Sequence, residues 1–242
     1  MKGAIYLPLL FLAVSMLSGC SASAGYDLKS ATVITCIVCI WTLFFGLAIY
    51  SNLLRDPISD CDTFETNAKL REQTQKGVVD RSAPFSLTKV QFGLWTAIIS
   101  SVYVYLSLFK GDCAGDGLNK TALVLMGIFA GTAVASSFID QKDINDNKPR
   151  HQNTPSRGFF MDILSDENGI SLHRFQNFAW TLIAIIVYLY KVSEIKSGCL
   201  LPELSDTLLA LTGISSATYL VLKTKENTPA SPQPVNGQEA VG

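Results

Sequence analysis

Apolar residues along this chain gather into runs at 31–54, 90–109, 121–139, 175–190 and 204–222, with polar stretches between them. Each run is close to the roughly 20 residues with which an α-helix crosses the hydrocarbon of a bilayer. None carries Asp, Glu, Lys, Arg or His in its interior, as lipid demands of a helix with neither a charged partner nor a water-filled cavity. The pattern predicts five transmembrane helices. An earlier apolar stretch, Ala4 to Leu17, is too short to span comfortably and follows the single Lys2, the layout of a signal sequence.

Four of the five runs say the same thing twice. Ser86, Leu87, Gln91, Trp95, Thr96, Ile98, Val102, Tyr103 and Tyr105 recur 85 positions later as Ser171, Leu172, Gln176, Trp180, Thr181, Ile183, Val187, Tyr188 and Tyr190. After one inserted residue the match resumes, with Leu118, Thr121, Leu123, Leu125, Gly127, Ile128 and Thr132 reappearing 86 positions on. Both copies begin on the same side, so they are parallel repeats about an axis along the membrane normal. The predicted fold class is an all-α membrane protein of five transmembrane helices. Four of them form two tandem helical-hairpin repeats, 86–139 and 171–222, in a pseudo-two-fold bundle.

Small residues spaced by four suggest where that bundle closes. Gly127 and Gly131 in the first copy are matched by Gly213 and Ala217 in the second, a small-xxx-small pattern that lets backbones approach where lipid offers no hydrophobic drive. Thr132 and Thr218, next to them, are free to bond across the seam or back to their own helix. In the first helix of each copy Gln91 and Trp95 share a face, as do Gln176 and Trp180. Packing and interfacial anchoring explain these residues; the functional alternative is a small symmetric polar pocket of Gln91, Trp95, Thr96, Gln176, Trp180 and Thr181. Ser86 and Ser171 stand where N-caps belong.

Composition agrees with the pattern: 48% of the 242 residues are hydrophobic and 16% charged, outside the usual soluble range. The net charge of −1 conceals a segregation. With residue 20 delivered outside, the loops 55–89 and 140–170, the approach to the second repeat and the tail 223–242 lie inside. They carry thirteen lysines and arginines against five outside, as the positive-inside rule requires. The basic residues are scattered among acids, which disfavours nucleic acid as a partner.

Cysteine placement adds detail. Cys113 and Cys199 fall in the two short outer loops at nearly equivalent repeat positions, where an oxidising compartment permits a disulfide; two free thiols are the alternative. Cys36 and Cys39 have CxxC spacing inside the first span, without flanking charge or a second pair, and read as small helix residues. Leu17, Ser18, Gly19 and Cys20 together resemble the lipobox of bacterial lipoproteins. The resemblance implies removal of a signal peptide, residues 1–19, and lipidation of Cys20. Cleavage after Ala24, or retention as an uncleaved anchor, are the alternatives.

The inner segments are too long for plain connectors. Phe159, Phe160, Ile163 and Leu164 fall at helical spacing and predict an interfacial amphipathic helix at 157–165. Asp140 to Asn147 lacks the glycine and terminal Glu of a calcium loop and reads as solvated linker. His151 and His173 lack ligand spacing and read as exposed. The tail from Glu226, with Pro229, Pro232 and Pro234, is disordered by composition. No metal, cofactor or catalytic set is assigned.

The stretch GFFMDILSDENGISLHRFQ from Gly158 to Gln176, followed by Trp180 and Thr181 and by LTGIS from Leu211 to Ser215, resembles a group of uncharacterised bacterial polytopic membrane proteins. The likeness covers about residues 86–222 and implies no activity. The expected protein is a non-enzymatic bacterial inner-membrane scaffold, anchor or sensor. It is multi-pass, with its processed N-terminus periplasmic and its C-terminus cytoplasmic. Its expected partners are the lipid bilayer and a second copy or another membrane protein. The alternative is a channel or small-solute transporter of oligomerised hairpins.

Overall fold

The computed structural model describes residues 28–74, 79–110, 119–196 and 200–227. The signal segment 1–19 and Cys20, Cys113 and Cys199 lie outside the described residues. Helix α1 spans Leu28–Tyr50, α2 Cys61–Thr74, α3 Leu87–Tyr105, α4 Lys120–Asn145, α5 Phe159–Leu164, α6 Leu172–Ser193 and α7 Asp206–Lys223. Two short strands, β1 (Ser165–Asp166) and β2 (Gly169–Ile170), form an antiparallel hairpin between α5 and α6. Helices α1, α3, α4 and α6 are long and apolar enough to cross a membrane. The 18-residue α7 is the remaining helix of the bundle.

The bundle forms because each long helix owns one continuous packing stripe. On α4 the buried positions Thr121, Leu125, Phe129, Thr132, Ser136, Asp140 and Asp143 step by three or four, one face of a 3.6-residue helix. Helix α3 packs on α4, α4 on α7, α7 on α6, and α1 lies along the outside of α3. In the centre the fully buried Trp95 indole stacks on Phe129 at 5.7 Å between ring centroids and meets Tyr188 edge-on at the same separation. Such aromatic pairs contribute about 0.5–1.5 kcal/mol beyond the area they cover.

Sequence caps mark where two helices begin. The Asn119 side chain accepts the Ala122 N–H at 3.0 Å, and Ser205 accepts that of Leu208 at 3.3 Å. Ser86 and Ser171 occupy N-cap positions without a side-chain cap bond. Asn119 also donates to the carbonyls of Leu201 and Pro202, at 2.6 and 3.2 Å, tying the two hairpins together at that end.

At the opposite end the segments 51–74, 79–86 and 146–170 fold onto each other as a cap. Asn153 accepts from the Ser59 backbone at 3.0 Å, Asn67 donates to the Asn153 carbonyl at 2.9 Å, and Arg71 donates to the carbonyls of Pro155 and Ser156. Asp162 accepts from Ser156 Oγ at 2.6 Å and from the backbone N–H groups of Arg157 and Phe85, at 2.7 and 3.2 Å. Gly158 and Gly169 adopt φ of 103° and 110°, a region that favours glycine, where the chain turns into α5 and into β2. Ile163 is fully buried beside Leu54, Leu87 and Tyr219, whereas Phe160 and Met161 of the same short helix point outward.

Three expectations change here. Asp140 to Asn147 is not a solvated linker, because α4 continues through it and buries Asp140 and Asp143 under the cap. His151 and His173 are half-buried rather than exposed. The tail does not leave the fold at Glu226: Glu226 and Asn227 are both buried, held by ionic and amide bonds that composition alone does not reveal.

Candidate functional site

Ionisable side chains collect where the cap meets the bundle. Asp140, on α4, accepts from Arg150 Nη2 through one oxygen and from Lys223 Nζ through the other, both at 2.7 Å. Lys223, the last residue of α7, also donates to Ser136 Oγ at 2.6 Å. Arg150 donates onward to the Pro57 carbonyl at 3.0 Å. Beside them Arg174, at the start of α6, grips Glu226 through Nε and Nη2, at 3.2 and 2.7 Å. The guanidinium also lies 5.5 Å from the Tyr219 ring centroid. These groups are all buried, so paired charges replace water as partners.

Asp56 completes the cluster. Its burial pushes the carboxyl upward, but Lys223, a Ser86 hydrogen bond, Arg174 and Lys89 outweigh that and hold it below the usual carboxylate value. Burial, with Arg174 nearby, depresses His151, so its imidazole is neutral at physiological pH despite its bond to Asn227. Asn227 in turn donates to Asp143 at 3.2 Å and Gln152 at 3.4 Å.

A cavity of about 250 Å³ opens over this floor. Asp56, Gln152, Ser165 and Arg174 line it, with Phe85 and Met161 as apolar neighbours and Arg157, Asp162, Asp166 and Glu167 as further charged ones. Asp56 Oδ1, Gln152 Nε2 and Ser165 Oγ are buried atoms without a protein hydrogen-bond partner. Close by, Asp166, His173 and Glu226 bring ligand-type atoms within 4.8 Å of one another. Arg174 already neutralises Glu226 and Ser171 meets His173 Nδ1 at 2.7 Å, so this trio reads as part of the ion-pair network.

The residues singled out by the repeat are not brought together as a symmetric pair. Gln91 is buried and donates to Thr181 Oγ1 at 2.7 Å, with Asn177 Oδ1 at 3.3 Å, across the α3–α6 contact. Its counterpart Gln176 is exposed, as is Thr96, the counterpart of Thr181. Trp95 is enclosed while Trp180 is only partly covered. The symmetric polar pocket is therefore absent among the described residues, because α1 covers α3 and α3 covers α6, so equivalent positions meet different neighbours.

The small-residue seam is also corrected. A Cβ at Gly127 or Gly131 meets nothing within 4 Å, and Ala217 is exposed; Gly213 touches only Ile128, at 3.6 Å. The close approach instead occurs at Gly93, where a Cβ lies 2.8 Å from the Phe44 ring of α1. Thr132 and Thr218 bond back to the carbonyls of Ile128 and Ile214, at 2.6 and 2.9 Å.

No protein-family model, curated protein or solved structure matches this chain. Its site is therefore read from its own chemistry. The apolar pattern does not reveal the cap cluster, since Asp56, Asp140, Arg150, Arg174, Lys223 and Glu226 come from separate stretches of the chain and not all of them border an apolar run. The only signal was that three of them sit at run edges facing the same side.

Proposed function

We propose that the chain is a non-enzymatic inner-membrane module of bacteria, a scaffold, anchor or sensor that presents its cap to a partner protein from the cytoplasmic face. In this reading α7 is a fifth span, the positive-inside rule puts the cap in the cytoplasm, and the processed N-terminus is periplasmic. The observation that carries it is the Asp140 junction, where α4 holds Arg150 of the cap and Lys223 of α7 with one carboxylate. A cap clamped in this way moves with the helices, which suits a module that relays or positions. Phe160 and Ile170 are exposed apolar side chains on the cap, and Leu172, 80% exposed, follows at the start of α6. The bundle centre is filled by Trp95, Phe129 and Tyr188, and the Thr132 and Thr218 hydroxyls are spent on their own helices, which weighs against a pore through one copy.

Photo-crosslinking tests this. A benzophenone side chain placed at Phe160, Ile170 or Leu172 in cells is expected to give a discrete protein adduct, and the same probe at Leu123 on the lipid-facing side of α4 is not. Adducts to lipid alone from all three positions would remove the partner reading.

A further inference from the structure

The cavity under the cap has the composition of a small-molecule site, and we propose that it binds a small zwitterion of the amino-acid class. Three observations point there. First, three of the side chains that line it carry buried polar atoms that the protein leaves unmatched: Asp56 Oδ1, Gln152 Nε2 and the Ser165 hydroxyl. A buried polar atom without a partner costs about 1–3 kcal/mol, and three around one opening mark a place where something else supplies the bonds. Second, the charges in the wall are mixed. The Asp56 carboxylate lies alongside Arg174, so a ligand with an ammonium at one end and a carboxylate at the other meets both. An anion such as phosphate meets four carboxylates, of Asp56, Asp162, Asp166 and Glu167, against the two arginines Arg157 and Arg174, while a simple amine leaves Gln152 and Ser165 unmatched. Third, the size excludes large ligands: about 250 Å³ falls just below the roughly 300–1,000 Å³ of drug-sized pockets. Phe85 and Met161 give an apolar wall for a modest side chain.

The ammonium donates to Asp56 Oδ1, and the carboxylate accepts from Gln152 Nε2 and Ser165 Oγ. No bond is made or broken, so the site is a receptor and not a catalyst. The assignment deepens the sensor arm of the proposed function and rests on that reading for its purpose; binding itself is measured without reference to any partner.

The full-length protein in nanodiscs is exposed to each of the twenty amino acids, and separately to ethylamine, acetate, myo-inositol and inorganic phosphate. Thermal shift and equilibrium dialysis with the radiolabelled compound are the readouts. At least one amino acid is expected to raise Tm, and the other four compounds are not. Ser165→Ala removes a hydroxyl with no protein partner, so its ligand-free Tm does not fall below the wild-type value while the dissociation constant rises about tenfold, equivalent to about 1.4 kcal/mol. Asp56→Asn weakens binding further. No shift with any amino acid, a shift matched by phosphate or inositol, or unchanged affinity in Ser165→Ala overturns the proposal, leaving a water-filled cavity. Failure of the photo-crosslinking test with amino-acid binding intact removes the partner and keeps the receptor.

Discussion

Asp140 is the residue on which most of the buried charge depends. Replacing it by Asn leaves Arg150 and Lys223 as buried cations with one carboxylate too few, and breaking buried pairs in this way costs about 3–5 kcal/mol. Asp140→Asn is expected to lower the unfolding midpoint in micelles by an amount of that order. The exposed Lys120–Asp206 pair is the control, and Lys120→Ala leaves the midpoint unchanged. His151 makes the fold sensitive to acid. Its affinity for a proton is lower in the folded state than in the unfolded chain, whose imidazole titrates near 6.5, so the unfolded chain takes up more protons below that pH. Stability is therefore fully present above about pH 6.5 and falls as pH decreases. Amide protection factors in 146–158, with the intrinsic pH dependence of exchange divided out, are expected to fall between pH 7.5 and 5.5 in the wild type, and His151→Gln removes most of the change. Asp56 follows only at lower pH, since its carboxylate stays ionised to below the ordinary value.

Among the elements, the contact between α1 and α3 turns on Gly93. A Val there drives its methyls into the Phe44 ring and Leu54, and overpacking of this kind costs about 1–3 kcal/mol. An added Cβ meets nothing in Gly127→Ala and Gly131→Ala, and both are expected to leave helix association unchanged, which a cysteine crosslink between α4 and α7 reads directly. The contrast also marks what the sequence makes legible. Runs of apolar residues revealed α1, α3, α4 and α6 and nearly their lengths, and the spacing of Phe159 to Leu164 revealed α5. Neighbours were not legible. A small-xxx-small pattern says that a backbone is accessible, not that a partner lies there, and Gly127 and Gly93 look alike until the crossing of the helices is known. Likewise the recurring residues lead one to expect two like hairpins, whereas Gln91 and Gln176 lie in different surroundings because α1 packs on α3 and no such helix packs on α6 among the described residues.

In the molecule as a whole, two separated loops and the end of α7 are held as one body by Arg174–Glu226 and by the Asp140 junction. Glu226→Gln leaves Arg174 buried without a countercharge, and is expected to make the cap susceptible to limited proteolysis within 146–170 while the helices stay protected. Retention of wild-type protease resistance would place the stability of the cap elsewhere. None of this network was readable from composition, because its members pair across 10 to 83 positions and charged residues at the edge of an apolar run look solvated until a loop covers them.

The clamp also dictates an order of biogenesis. Asp140 leaves the ribosome with Arg150 close behind it, but Lys223 is synthesised 83 residues after Asp140, and Glu226 follows 52 residues after Arg174. Until α7 has been made, the nascent chain holds these carboxylates and guanidiniums without their permanent mates. A polypeptide that ends before Lys223 is therefore expected to be cleared rather than to fold in part, which its steady-state abundance reads directly.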